Sequence, residues 1–144
     1  MIDAATYATE RAICDKAHAY ARATMATRGP RCNFLTAEET KHPDYAACDN
    51  AMRGRVEQYE LLTTTPERFG AYVSSDGKHI TTWTGDVLGT CYLGAGWRSR
   101  SWVDSRQYQA TAWINGREFT GRTFGAGMYI GLRETASSAR KRAA

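Results

Sequence analysis

Four residues in the first half of the chain have the chemistry of metal ligands. Cys14 and His18 stand four apart, which puts both side chains on one face of a helix, and Cys48 lies on a segment suited to pack against it. With Cys32 from the connecting stretch they would make a Cys3His zinc set. Their spacing matches no familiar zinc module, and small thiols and half-buried histidines fill helical cores without a metal, so none is assigned. "GAGW" at 94 and "GAGM" at 125 are glycine pairs that could cradle phosphate if either opened a helix. Neither precedes a helical pattern, and both read as hairpin turns. For nucleophilic catalysis the second half offers one histidine, His79, and one cysteine, Cys91, beside the scattered carboxylates Asp76, Asp86, Asp104, Glu118 and Glu134. No nucleophile elbow surrounds them, so no catalytic residue and no cofactor are assigned.

A fourth pattern is more pronounced. All four tryptophans, Trp83, Trp97, Trp102 and Trp113, fall in the second half, which also holds ten Lys/Arg against five Asp/Glu. Residues 1–68 hold nine against ten, so the net charge of +4 belongs to the second half. Single-stranded nucleic acid asks for such a surface, because arginines offset phosphate charge and flat rings stack on bases. The competing reading is that tryptophans fill a small core and arginines form its solvated rim. Trp83 is expected in the core. Trp113 is expected on the surface, because its neighbours on that strand face are polar.

The elements that must position these residues follow from glycine and periodicity. Only Gly29 and Gly54 precede residue 68, and the other eleven of 13 glycines follow it, so helices are expected first and short strands afterwards. Asp3 can cap a helix to about Thr27 with a stripe of Ile13, Ala17, Tyr20 and Thr24. After a short turn begun by Thr36, Pro43 can open a second helix with a buried stripe of Tyr45, Cys48, Met52, Val56, Tyr59 and Leu62. The two should pack as an antiparallel pair. From Phe69 the period becomes two, with a turn at Asp76-Gly77 and a strand in "DVLGTCYL". If Asn115-Gly116 forms a two-residue type I′ turn, Ile114 opposes Arg117, Ala112 opposes Phe119 and Ala110 opposes Gly121. One face of that hairpin is then apolar and the other carries Gln109, Thr111, Trp113, Glu118, Thr120 and Arg122. After the second glycine turn Met128, Ile130 and Leu132 are expected to continue a buried face, with Tyr129 and Arg133 pointing the other way.

The fold class expected is α+β: an N-terminal helical pair packed on a C-terminal curved antiparallel sheet or small barrel of SH3-like or OB-like size. Its parts are a helical segment 1–66, an antiparallel β segment 67–134 and a basic flexible tail 135–144, forming one domain overall. The first residues carry charges and no uninterrupted apolar run, so neither a signal peptide nor a membrane span is expected, and the protein is placed in the cytoplasm. With no disulfide pattern, the four cysteines are expected as free thiols.

The stretches "ITTWTGDVLG" and "ATAWINGREFTGRTFGAGMYIGLR" resemble small uncharacterised proteins encoded by bacteriophages. There a Trp-Thr-Gly turn precedes a hairpin ending in Gly-Arg and a Gly-x-Gly-Met closure. The resemblance covers the last half of the chain. It implies an accessory role in infection, in the host cytoplasm: binding host or viral macromolecules, or blunting a defence system. The function expected is non-enzymatic nucleic-acid binding through Trp113, Arg122, Tyr129 and Arg133, with Trp97, Arg98, Arg100 and Trp102 as a neighbouring loop. The alternative is a counter-defence protein that inhibits a host protein or captures a small signalling nucleotide.

Overall fold

Asp3 does open the first helix: its Oδ1 accepts the Thr6 amide at 2.8 Å, and α1 runs Ala4–Ala26. The computed structural model describes residues 1–94 and 107–144, in two units, Met1–Tyr59 and Glu60–Ala144. Among the described residues, no helix is long and apolar enough to cross a membrane.

The short turn is a capping box in which the Thr36 amide donates to Glu39 Oε1 at 2.8 Å and the Glu39 amide to Thr36 Oγ1 at 3.2 Å. Pro43 then opens a helix, but the single helix expected here is two: α2 (Pro43–Ala46) and α3 (Asn50–Thr64). Asp49 divides them, because its carboxylate accepts the Met52 amide at 2.8 Å and caps a new start. Along α1 the partners run backwards. Tyr7 stacks on Tyr59, Glu10 takes Arg55, Cys14 meets Cys48 and Tyr20 stacks on His42, so the packing is antiparallel. Cys14, Ala17, Cys48 and Val56 form this unit's core.

In the second unit six strands close into an antiparallel barrel: β1 (Arg68–Val73), β2 (His79–Thr81), β3 (Val87–Tyr92), β4 (Tyr108–Ile114), β5 (Arg117–Thr123) and β6 (Tyr129–Glu134). Each pairs with the next and β6 returns to β1. That up-and-down order differs from the Greek-key order of an OB-fold. The β4–β5 hairpin has the expected register from Ile114↔Arg117 to Tyr108↔Thr123, with Asn115 at φ 51° and Gly116 at φ 71°, the values a type I′ turn requires. Ala110, Ala112, Ile114 and Phe119 accordingly face the core with Ala71, Val73, Ile80, Leu88, Ile130 and Leu132. Leu61 and Leu62, at the end of α3, pack against the same core, and Asn115 Nδ2 donates to Thr65 Oγ1 at 2.8 Å.

The structure corrects two further expectations. Residues 136–143 form a helix, α4 (Ala136–Ala143), and not an unstructured tail. Thr135 caps it by accepting the Ser138 amide at 3.2 Å, and Arg142 binds the buried Glu134. Trp83 is not in the core but 64% exposed. Thr82 takes the interior position two residues beyond Ile80, and the chain turns outward at Trp83.

Candidate functional site

The outer barrel wall carries the residues with binding chemistry, and register arranges them in rows. Across β1 and β6 the outward pairs are Arg68↔Arg133, Gly70↔Gly131 and Tyr72↔Tyr129. β5 continues the first row through Thr120↔Arg133, and β4 adds Gln109 beside Arg122 and Thr111 beside Thr120. An open groove of about 370 Å³ results, lined by Gln109, Thr120, Gly121, Arg122, Gly131 and Arg133. Gly131 leaves its floor open: a Cβ there would meet no atom within 4 Å.

Of the four sheet residues expected to form one patch, Arg122 and Arg133 share this groove. Tyr129, 57% exposed, borders it with its ring over Gly70 and edge-on to Tyr72, centroids 5.7 Å apart. Trp113 is exposed, as expected, but lies on the far side, opposite Glu118 and Thr90. Three rows separate it from Tyr129, roughly 20 Å at the strand repeat, so the patch is extended. Arg68, the strand partner of Arg133, adds a third arginine beside the groove that the sequence reading did not include. Inward Phe69, Ala71 and Val73 alternate with outward Arg68, Gly70 and Tyr72, and that period of two was the available signal. Trp97, Arg98, Arg100 and Trp102 lie outside the described residues.

Several arginines that brace the fold are held by carboxylates. Arg117 and Arg142 are held by Glu134, Arg55 by Glu10, Arg28 by Glu39 and Arg11 by Asp15. Among the described residues, no ion pair joins Arg68, Arg122 or Arg133 to a carboxylate. Two exposed guanidinium groups, Arg122 and Arg133, therefore line the groove, and exposed Arg68 stands beside it as the strand partner of Arg133.

Among the described residues the other candidates do not assemble, and the "GAGW" stretch from 95 onward and Asp104 lie outside those residues. Cys14 and Cys48 bring their sulfurs within 2.6 Å, but His18 is exposed and Cys32 lies beside Arg28 and Phe34. Among the described residues, no three His, Cys, Asp or Glu are grouped to hold a metal ion. His79 Nδ1 turns to Asp76 at 3.4 Å, while the Cys91 thiol donates to the Gly77 carbonyl inside the barrel. In the Gly125–Gly127 turn the amides of Gly125 and Gly127 are spent on Thr123 Oγ1 and the Val73 carbonyl, which leaves neither for a phosphate.

Burial pushes the Cys14 thiol up to about 12, helped by its hydrogen bond with Cys48, and pushes Cys91 up to about 11. At Cys32 a backbone hydrogen bond with Phe34, and then the Arg28 guanidinium, draw the thiol below its ordinary value. Alkylation at neutral pH should therefore modify Cys32 well before Cys14 or Cys91, as read by peptide mass mapping. Equal rates at all three would contradict the buried positions of the other two.

Compared with known proteins, the chain matches no protein-family model, no curated sequence and no solved structure.

Proposed function

We propose that this is a non-enzymatic binding protein that engages nucleic acid through the basic, aromatic face of its barrel. The observation that carries the reading is the contrast in arginine pairing: carboxylates neutralise arginines that hold the fold together, whereas Arg122 and Arg133 in the open groove, and Arg68 beside it, have no ion pair among the described residues. Phosphates of a strand supply the missing anions, and Tyr129 supplies a ring beside them. The bacteriophage resemblance read from the sequence belongs to the same proposal: an accessory role in infection, in the host cytoplasm.

The test is fluorescence anisotropy of labelled single-stranded DNA and RNA across a salt series. With three arginine contacts to a single strand, the observed association constant should fall about 20-fold between 50 and 200 mM salt. Replacing Arg122 and Arg133 together by alanine should reduce the log–log salt slope by about 1.4. Gly131→Glu, which places a carboxylate on the groove floor where there is room for it, should abolish binding without unfolding the barrel. Salt-insensitive binding, or binding unchanged in these variants, would refute the assignment.

A second reading rests on the groove's size. At about 370 Å³, with two guanidinium groups and the Gln109 amide, it could take one small signalling nucleotide, as a counter-defence protein would. Saturable one-to-one binding with a thermal shift, and no affinity for longer strands, would favour it.

A further inference from the structure

A second cleft opens on the same barrel wall. It encloses about 400 Å³ and is lined by Tyr72, Val73, Ser74, Ser75, Thr81, Thr82, Trp83, Gly85 and Gly127. Trp83 stands at its mouth, at the second position of a tight turn closed by the Gly85 amide donating to the Thr82 carbonyl at 3.0 Å. The turn is braced throughout. The Thr82 amide donates to the Asp86 carbonyl at 2.9 Å, the Asp86 amide to Thr82 Oγ1 at 3.1 Å, and the Thr84 hydroxyl to Asp86 Oδ2 at 2.7 Å.

Nothing in that turn requires an indole. Burial would favour a tryptophan inside, yet the small Thr82 is buried and the large ring is held in solvent on a stiff support. Rigid, exposed aromatic rings bind with little loss of conformational freedom. The lining tells what they would bind: two aromatic rings, the Ser75 hydroxyl and no charged side chain, while the Ser74 and Thr81 hydroxyls donate to Asp76 and to the Thr82 carbonyl. Such a site suits a flat, uncharged group with hydrogen-bonding edges.

The cleft and the arginine groove are separate but neighbouring. Tyr72 lines the cleft and pairs with Tyr129, Tyr129 covers Gly70, and Gly70 pairs with Gly131 on the groove floor. From the Tyr72/Tyr129 pair to the Arg68/Arg133 pair is four residues along each strand, roughly 13 Å. We infer that the Trp83 cleft is the base-stacking subsite of a single strand whose phosphates lie in the arginine groove. The occupant is an unpaired nucleobase, because a base inside a duplex has both faces covered and cannot reach the indole. The inference rests on the nucleic-acid reading above and narrows it to single strands.

Binding of labelled oligothymidylate and of a duplex of the same length should be compared in the full chain and in Trp83→Ala, Trp83→Phe and the Arg122/Arg133 double alanine variant. Trp83→Ala should weaken the single strand roughly tenfold or more, as loss of one stacked base does, and leave the duplex and the salt slope unchanged. Trp83→Phe, which keeps a π face, should retain most of the affinity. Single-strand binding unchanged by Trp83→Ala while the arginine variant still fails would overturn the subsite and leave the groove standing. Equal losses on single strand and duplex would also overturn it. If the unaltered chain binds neither, the groove reading itself falls.

Discussion

Alanine in place of Gly89 or Gly121 should destabilise the barrel by about 3 kcal/mol or more, beyond the usual 1–3 kcal/mol of an overpacked core. A Cβ on Gly89 would fall far inside van der Waals contact with the Trp113 carbonyl oxygen, and one on Gly121 would do the same at the Gly131 carbonyl oxygen. Both obstacles are backbone atoms of a neighbouring strand, so no side chain can rotate away and a strand must move. For Gly89 the displaced pairings are those beside Thr90↔Trp113 and Cys91↔Ala112, next to the core contact with Ile114. Gly131→Ala is the control: its Cβ would meet nothing within 4 Å, and it should change stability by less than about 0.5 kcal/mol. Denaturant midpoints measure all three, and a Gly89→Ala protein as stable as the control would show that β3 and β4 do not approach as described.

The second large effect concerns Glu134, whose side chain is 2% exposed. It accepts Arg117 Nε at 2.8 Å and Nη2 at 3.0 Å, Arg142 Nη2 at 2.8 Å and the Ser138 hydroxyl at 2.9 Å. Those bonds tie β5, β6 and α4 together, and Arg117 also donates to the Thr65 carbonyl. Removing Arg117 leaves a buried carboxylate with one guanidinium, so Arg117→Ala should cost about 3 kcal/mol at neutral pH. The Arg117 and Arg142 guanidinium groups, in that order, hold the Glu134 carboxyl well below its ordinary 4.5. Because the folded value is depressed, its stabilisation is fully present above pH 4.5 and is lost as pH falls through the folded value. Glu134→Gln should therefore flatten the acid limb of the stability curve. It should not abolish it, since Arg28 holds Glu39 down to about 2 in the same window. An unchanged acid limb in Glu134→Gln would remove Glu134 from its assigned place between the two arginines.

Local chemistry made much of this legible beforehand. The Asp3 cap, the Thr36 capping box and the Pro43 helix start are bonds within a few residues, and the Asn115-Gly116 turn sets the register of a whole hairpin because a two-residue loop leaves no slack. Tyr129 and Arg133 were placed outward by the same period of two. The misses involve competition. Asp49 offered a cap inside an apolar stripe that otherwise ran on, and the cap won. The last ten residues have few apolar groups, so a buried carboxylate eight positions before Arg142 was needed to seat their helix.

By itself, then, the sequence determined the division into helices and strands, the inward and outward faces of the hairpin, and a positive second half, because caps, two-residue turns and side-chain alternation act over a few residues. Closure of the sheet, the meeting of Arg122 and Arg133 in one groove with Arg68 beside it, and the exposure of Trp83 were decided by tertiary structure. Pairing β1 with β6 joins segments about sixty residues apart, and no local rule reaches that far. That closure also set Arg68 beside Arg133, next to a groove whose two arginines have no ion pair among the described residues.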